Sequence, residues 1–480
     1  MPPTARSIND ELSIELLNPS TPSFPGSVIL GRVMRQAPVN APSATVRVRL
    51  QGRAKAKLVV SRGESKSYYR SRFKFWSESA VVDTVHDGPV SDADNGPLSW
   101  PFALAVPTHT SADALNFGLS EKERSASFVK VPGQITASAG IPEQPLPGSF
   151  YYDYSGFSKK WHGFVEFWIE AELAVQGTAK SRARVFKATL PIRINSPPAP
   201  GPPITDFRLE TRNMPGCVSS HRLVPGMEDG ELSFRQKRQR FFGSSKVPSL
   251  RYVLQVRYPT VIQLGSPSTI PFLLRVIPDR EKSSEIIADV SQTLTIKSVE
   301  LEVRTTVSII CPGTFDWHST DQTRKVLLAS TSTFSSLIEG GVALPFGADE
   351  KPLDLGALLG IKVDAMGRVL KEGRETPINS APDSIIVPTY TTYCVKTEHE
   401  LVWQVALTVA GESWKCSTTQ KLLVLPQSQD MLTNGTESAD LKGFTPGGVA
   451  ALAFGATAIE FASNSASLLE VVAALSELDI

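Results

Sequence analysis

The stretch Phe164-Val-Glu-Phe-Trp-Ile-Glu-Ala-Glu-Leu173 decides the fold class. Val165, Phe167, Ile169, Ala171 and Leu173 alternate with Glu166, Glu170 and Glu172. Successive side chains of a strand point to opposite faces, so this period of two gives one core face and one water face. On a helix the same apolar set would lie all round the circumference. Trp168 interrupts the polar face, which is therefore expected to be partly covered.

The same grammar extends in both directions. Leu12-Ser-Ile-Glu-Leu16 alternates, and a Phe24-Pro-Gly turn leads to Ser27-Val-Ile-Leu-Gly-Arg-Val-Met34. Thr45-Val-Arg-Val-Arg-Leu-Gln-Gly52 puts Val46, Val48 and Leu50 on one face and Arg47 and Arg49 on the other. Tyr68 to Trp76, Trp100-Pro-Phe-Ala-Leu-Ala-Val-Pro107 and Lys187 to Ile194 complete the first half. The Pro-rich run Asn195-Ser-Pro-Pro-Ala-Pro-Gly-Pro-Pro-Ile204 stiffens the chain and blocks strand pairing, which marks a boundary. Strand patterns return at Leu250–Val256, Ile270–Ile277, Leu294–Val303 and Leu401–Val409. Short strands with turn signals and few helical periods predict antiparallel sandwiches. The expected organisation is a sandwich over residues 1–195, a linker over 196–205, a second sandwich over 206–427 and a tail over 428–480.

Charge separates the tail from the rest. Over 480 residues the net charge is +1, yet from Ser428 onward seven acids stand against one base, Lys442. An acidic end behind a basic body reads as intramolecular docking, as two partner surfaces, or as a solvated tail. Leu468, Val471, Val472, Leu475 and Leu478 follow the stripe of an amphipathic helix, which packs on its own domain or enters a partner's groove. With 41% apolar and 20% charged residues, and no strongly basic domain, nucleic acid is not an expected partner. The N-terminus has no apolar run and reads as leaderless, so the expected location is cytoplasmic. Four dispersed cysteines (Cys217, Cys311, Cys394 and Cys416) read as buried reduced thiols.

The segments, taken in order, resemble the arrestin-like family, specifically its fungal α-arrestin-related branch. Ile29-Leu-Gly-Arg-Val33 after the Pro-Gly turn, Val48-Arg-Leu-Gln-Gly52, Trp100 to Pro107, and Leu146-Pro-Gly-Ser-Phe150 followed by Gly163 to Leu173 resemble its N-terminal domain. Leu353-Asp-Leu-Gly356, Val387 to Val395 and His399-Glu-Leu-Val-Trp-Gln-Val405 resemble its C-terminal domain. The resemblance implies an all-β chain: two tandem immunoglobulin-like, arrestin-type antiparallel β-sandwiches, here with an acidic, partly helical C-terminal tail. It implies a non-enzymatic adaptor that binds cytosolic regions of membrane transporters or receptors and promotes their ubiquitin-dependent endocytosis or sorting. Recruitment to plasma membrane or endosomes, and a HECT-type ubiquitin ligase as partner, follow from the same resemblance. The Pro-Pro pairs at 2, 197 and 202 have no tyrosine two positions on, so ligase recruitment by PPxY is not expected and would be indirect or atypical. The alternative is a structural coat or sorting-complex subunit resembling the retromer's arrestin-fold component.

Candidate binding residues are cationic. Arg47, Arg49, Arg53, Lys55 and Lys57 recur every second or fourth residue of one strand, ready for phosphate or the acidic tail, or simply solvated. Arg235, Lys237, Arg238 and Arg240 read as a loop, either touching anionic lipid headgroups or preceding a buried aromatic strand. No catalytic residue, cofactor or metal is expected. The six histidines are isolated, with His162 read as a strand-edge histidine; Gly411-Glu-Ser-Trp lacks the second glycine of a nucleophile elbow, and no phosphate-binding glycine loop occurs.

Overall fold

A computed structural model describes residues 3–7, 11–91, 97–130, 140–177, 182–227, 230–231, 233–241, 246–288, 290, 292–330, 342–371, 374–375 and 385–436. Strands dominate, in several sheets whose ladders are almost all antiparallel. The first half contains β1 (Ser13–Leu16), β2 (Val28–Arg35), β3 (Ala41–Arg62), β4 (Ser65–Lys74), β5 (Val82–Val90), β6 (Leu98–Ala105), β7 (Phe150–Ser155), β8 (Lys159–Val175) and β9 (Arg184–Ile192). One sheet has the order β1-β2-β6; the other runs β4-β3-β8-β7, with β5 also on β3 and β9 on β8. Two helical turns, α1 (Ala112–Asn116) and α2 (Glu121–Ser125), lie between β6 and β7.

The second half contributes β10 (Leu209–Ser219), β11 (Ser249–Pro259), β12 (Val261–Gln263), β13 (Leu273–Pro278), β14 (Thr295–Pro312), β15 (Trp317–Ala329), β16 (Val395–Val409) and β17 (Glu412–Leu425). Strands β10, β11 and β13 are neighbours in one sheet, and β12-β17-β16-β14-β15 is the order of another. Between β10 and β11 lies α3 (Phe234–Phe241), and α4 (Gln429–Thr436) follows β17. Within the Pro-rich segment the chain is fastened to its own later part. Ala199 N donates to Gln427 O at 2.9 Å, and Gln429 N donates to Ala199 O at 3.0 Å.

The alternating residues of β8 behave as their period requires: Val165, Phe167, Ile169, Ala171 and Leu173 are all buried in one apolar core. A second core is built around Trp403, Tyr252, Tyr258 and Phe272. The first core is not made by the first half alone. Val307, Ile309, Ile310 and Cys311 from β14, with Tyr393 and Cys394 just before β16 and Val395 at its start, are part of it. Those residues cover the inner side of the far ends of β3 and β8. Ser71 Oγ donates to Ile310 O at 2.8 Å, and the Tyr69 and His318 rings lie 3.9 Å apart. Gly163 is small for that reason: a Cβ there would come within 2.6 Å of Ile309 Cγ2 and 3.0 Å of Val395 Cγ2.

Three sequence expectations are corrected here. Residues 234–241 form helix α3, where a loop was expected. Ser233 and Gln236 cap it reciprocally, Ser233 N donating to Gln236 Oε1 at 2.8 Å and Gln236 N to Ser233 Oγ at 3.3 Å. His162 lies in β8 between β3 and β7, away from any edge. Cys217 is exposed, on a residue of β10 that faces away from the core, while the other three cysteines are buried and all four are free. Burial pushes the Cys311 and Cys416 thiols up to about 12, so neither is a thiolate near neutrality.

Candidate anion-binding face

The outer face of the β4-β3-β8 sheet carries the cations the sequence singled out. Strand register fixes what stands beside each of them. Arg47, Arg49, Arg53, Lys55 and Lys57 on β3 oppose Glu172, Glu170, Glu166, Phe164 and His162 on β8. Two of the five are neutralised. Arg49 Nη2 lies 3.0 Å from Glu172 Oε2 and its Nε lies 3.8 Å from Glu170. Arg53 pairs with Glu166, both side chains being nearly out of water, and its guanidinium lies 4.5 Å from the Trp168 ring centroid. Glu166 is therefore an ion-pair partner under cover, not the water-facing residue its alternation implies. The covered Trp168 meets expectation: its Nε1 donates to Glu170 Oε1 at 2.7 Å. Arg47 is exposed.

Lys55 and Lys57 are different. On their other side they oppose Arg72 and Arg70 of β4, and Arg53 opposes Lys74. Like charges directly opposite across a strand pair destabilise the sheet. Lys74 is relieved by Glu78 at 2.7 Å. For Lys55, Lys57, Arg70 and Arg72, no carboxylate lies within ion-pair distance among the described residues. Lys57 and Arg70 rest instead against the Tyr68 ring at 5.7 and 5.9 Å, and Lys55 against Phe164 at 5.7 Å. Burial, followed by the nearby Arg53 charge, lowers Lys55 to about 8 and moves Arg72 in the same direction. An anion placed across this pair of cross-strand repulsions would relieve both, and the guanidinium forks of Arg70 and Arg72 suit phosphate or carboxylate.

The partners Arg70 and Arg72 were legible as alternating residues of a strand, but not as neighbours of Lys55 and Lys57. That depends on the turn. Arg62 pairs with Ser65, leaving Gly63-Glu64 as a two-residue hairpin loop. Gly63 sits at φ +61, a left-handed conformation that glycine adopts without steric cost.

Of the second basic cluster, Arg235 and Arg238 are exposed on α3. Lys237 and Arg240 belong to the same helix. The predicted stripe Leu468, Val471, Val472, Leu475 and Leu478 lies outside the described residues, as does most of the acidic tail. Among the described residues, no group of three or more His, Cys, Asp or Glu could hold a metal ion, and no helix is long and apolar enough to cross a membrane. Compared with models of known protein families and with curated proteins, the chain matches none.

The Lys55 environment predicts a pH signature. A lysine in the unfolded chain titrates near about 10.4. Between about 8 and that value the unfolded state binds more protons than the folded one, so stability rises with pH across this window. Lys55→Met should flatten the rise, seen as a smaller gain in urea midpoint on going from pH near 7.5 to pH near 10. An unchanged slope would show that Lys55 is solvated like an ordinary surface lysine.

Proposed function

We propose that this chain is an arrestin-like, non-enzymatic adaptor that holds anionic cytosolic segments of membrane proteins for ubiquitin-dependent endocytosis or sorting. In this reading the two cores belong to tandem immunoglobulin-like sandwiches, and the acidic tail is a regulatory element competing for the same face. The ordered segment resemblance supports the family. The observation that carries the ligand chemistry is the un-neutralised quartet Lys55, Lys57, Arg70 and Arg72. A ubiquitin ligase would join through a contact other than PPxY.

The test has two arms. A labelled peptide bearing two phosphoserines should bind, and its unphosphorylated form should not. Lys57→Gln with Arg70→Gln should weaken it by about a hundredfold or more, since hydrogen bonds to charged groups are worth about 1.5–3 kcal/mol each and about 1.4 kcal/mol is a factor of ten. Higher salt should weaken the wild type more than the variant, because screening acts on exposed charge. Binding should also strengthen as pH falls through about 8, as Lys55 gains its proton. In cells, mild crosslinking and affinity purification should recover a membrane transporter or receptor. Peptide binding indifferent to phosphate, or recovery of a fixed coat complex, would overturn the adaptor reading.

A further inference from the structure

Three hairpin turns gather at one end of the first core. The β3–β4 turn (62–65) and the β7–β8 turn (155–160) are tied together by Ser61 N donating to Ser158 O at 2.9 Å. The β14–β15 turn (312–317) advances in the same direction. Ile310 lies at Ser71, while His318, which pairs with Cys311, lies at Tyr69, two residues nearer the β3–β4 turn. From there the hairpin runs on into its turn, braced by Lys122 Nζ on Thr314 O and by Lys130 at 5.0 Å from the Trp317 ring.

At the apices of two of these turns stand phenylalanines with almost no cover, Phe157 at 107% and Phe315 at 98% relative exposure. Trp317 and Tyr68, also exposed, lie just behind. A single exposed apolar residue is ordinary. Two aromatic apices at one end, each left wholly outside the core, add nothing to folding through burial. The charge around them has one sign in excess: Arg62, Lys66, Lys159 and Lys160 are exposed in or beside the turns, against Glu64 and Asp316. Asp316 is partly occupied by its own turn, accepting from Trp317 N at 2.7 Å.

We propose that this end faces a lipid bilayer, with Phe157 and Phe315 entering the interfacial region and the flanking bases meeting anionic headgroups. Projecting aromatic apices reach the headgroup–acyl boundary, while lysine stems extend along it and keep their ammonium groups at the phosphates. The row from Lys55 to Lys57 leads along β3 toward the same end, so a membrane-bound protein would present the anion-binding face beside the bilayer. The apices and flanking lysines changed in the test are not part of that face, so the proposal stands without it.

The full chain should co-sediment with vesicles of phosphatidylcholine containing about one-fifth phosphatidylserine, and less well as salt rises. Phe157→Ser with Phe315→Ser should weaken this by at least about tenfold, because each apex would lose interfacial burial. Lys159→Gln with Lys160→Gln should weaken it and flatten the salt dependence. Circular dichroism should be unchanged in both variants, since none of these side chains is buried. As a second readout, Phe157→Trp should add emission that shifts to the blue with vesicles and is quenched by brominated acyl chains. Absence of wild-type sedimentation, equal sedimentation of the double phenylalanine variant, or an unquenched Trp at 157 would each overturn the proposal. The vesicles contain no protein, so such a failure would leave the phosphopeptide result standing.

Discussion

Replacing Tyr393 by alanine should destabilise the protein by about 3–5 kcal/mol, the range for deleting a large buried aromatic side chain. Tyr393 comes from the second half of the chain but has no exposed surface inside the first core. Its ring packs against Phe73 and Phe75 with centroids 5.4 and 6.4 Å away. Its hydroxyl donates to Pro142 O at 3.2 Å and shares a 2.7 Å hydrogen bond with Thr110 Oγ1. Its carbonyl accepts from Phe128 N at 2.8 Å. Truncation would leave a cavity, and Thr110 would lose a partner in a dry site. Tyr393→Phe keeps the volume and should cost only about 1 kcal/mol. Urea unfolding measures the loss. Limited proteolysis near residues 196–205 measures whether the halves separate, which should be faster in the alanine variant alone. A loss below about 1 kcal/mol with unchanged cleavage would mean that the two halves are not held through this residue.

The second large effect belongs to Glu166. Glu166→Ala should cost about 3–5 kcal/mol, the range for breaking a largely buried ion pair from one side. Both partners are nearly covered, and the loss goes beyond one pair. Thr4 N donates to Glu166 Oε2 at 2.6 Å, and Arg53 Nη2 donates to Thr4 Oγ1 at 3.0 Å. Glu166 also partly offsets the charge of Lys55 and, after Glu78, that of Arg72. Without it, Arg53 would join four neighbouring cations uncompensated. The decisive comparison is a cycle with Arg53→Met. If the ion pair is the cause, Arg53→Met with Glu166→Met should recover most of the stability lost in either single change. Additive losses would locate the cost in packing against Trp168 instead.

Much of the β-rich fold was legible because its strands alternate cleanly, as β8 does. The length of β3 was not. Its pattern fades at Gln51-Gly52, and the following Arg53-Ala-Lys-Ala-Lys57 has low intrinsic strand preference. Ala54 and Ala56 share a core with Ile309 and Val395, which arrive from some 250 to 340 residues further along the chain and pack at Gly163, the strand partner of Ala56. Small side chains there are a response to distant packing, which no local window contains. The binding face shows the same limit. Period two displayed Arg70 and Arg72, yet only the Gly63 turn sets them against Lys55 and Lys57. Helix α3 was the opposite case: its Ser233-x-x-Gln236 capping signal is present in the sequence, ahead of a run of bases that carries no apolar stripe.

The tie between Ala199 and Ser428 has a mechanical consequence. Ser428 is wholly buried, and the two backbone bonds around it join the crossing between the halves to the exit of the last strand. A pull on the C-terminus therefore arrives at the crossing before it reaches β17. Because the bridge is parallel, tension along the exiting chain loads its two bonds together in shear. Force applied after residue 436 would act first on the crossing between the halves, and only later on either core.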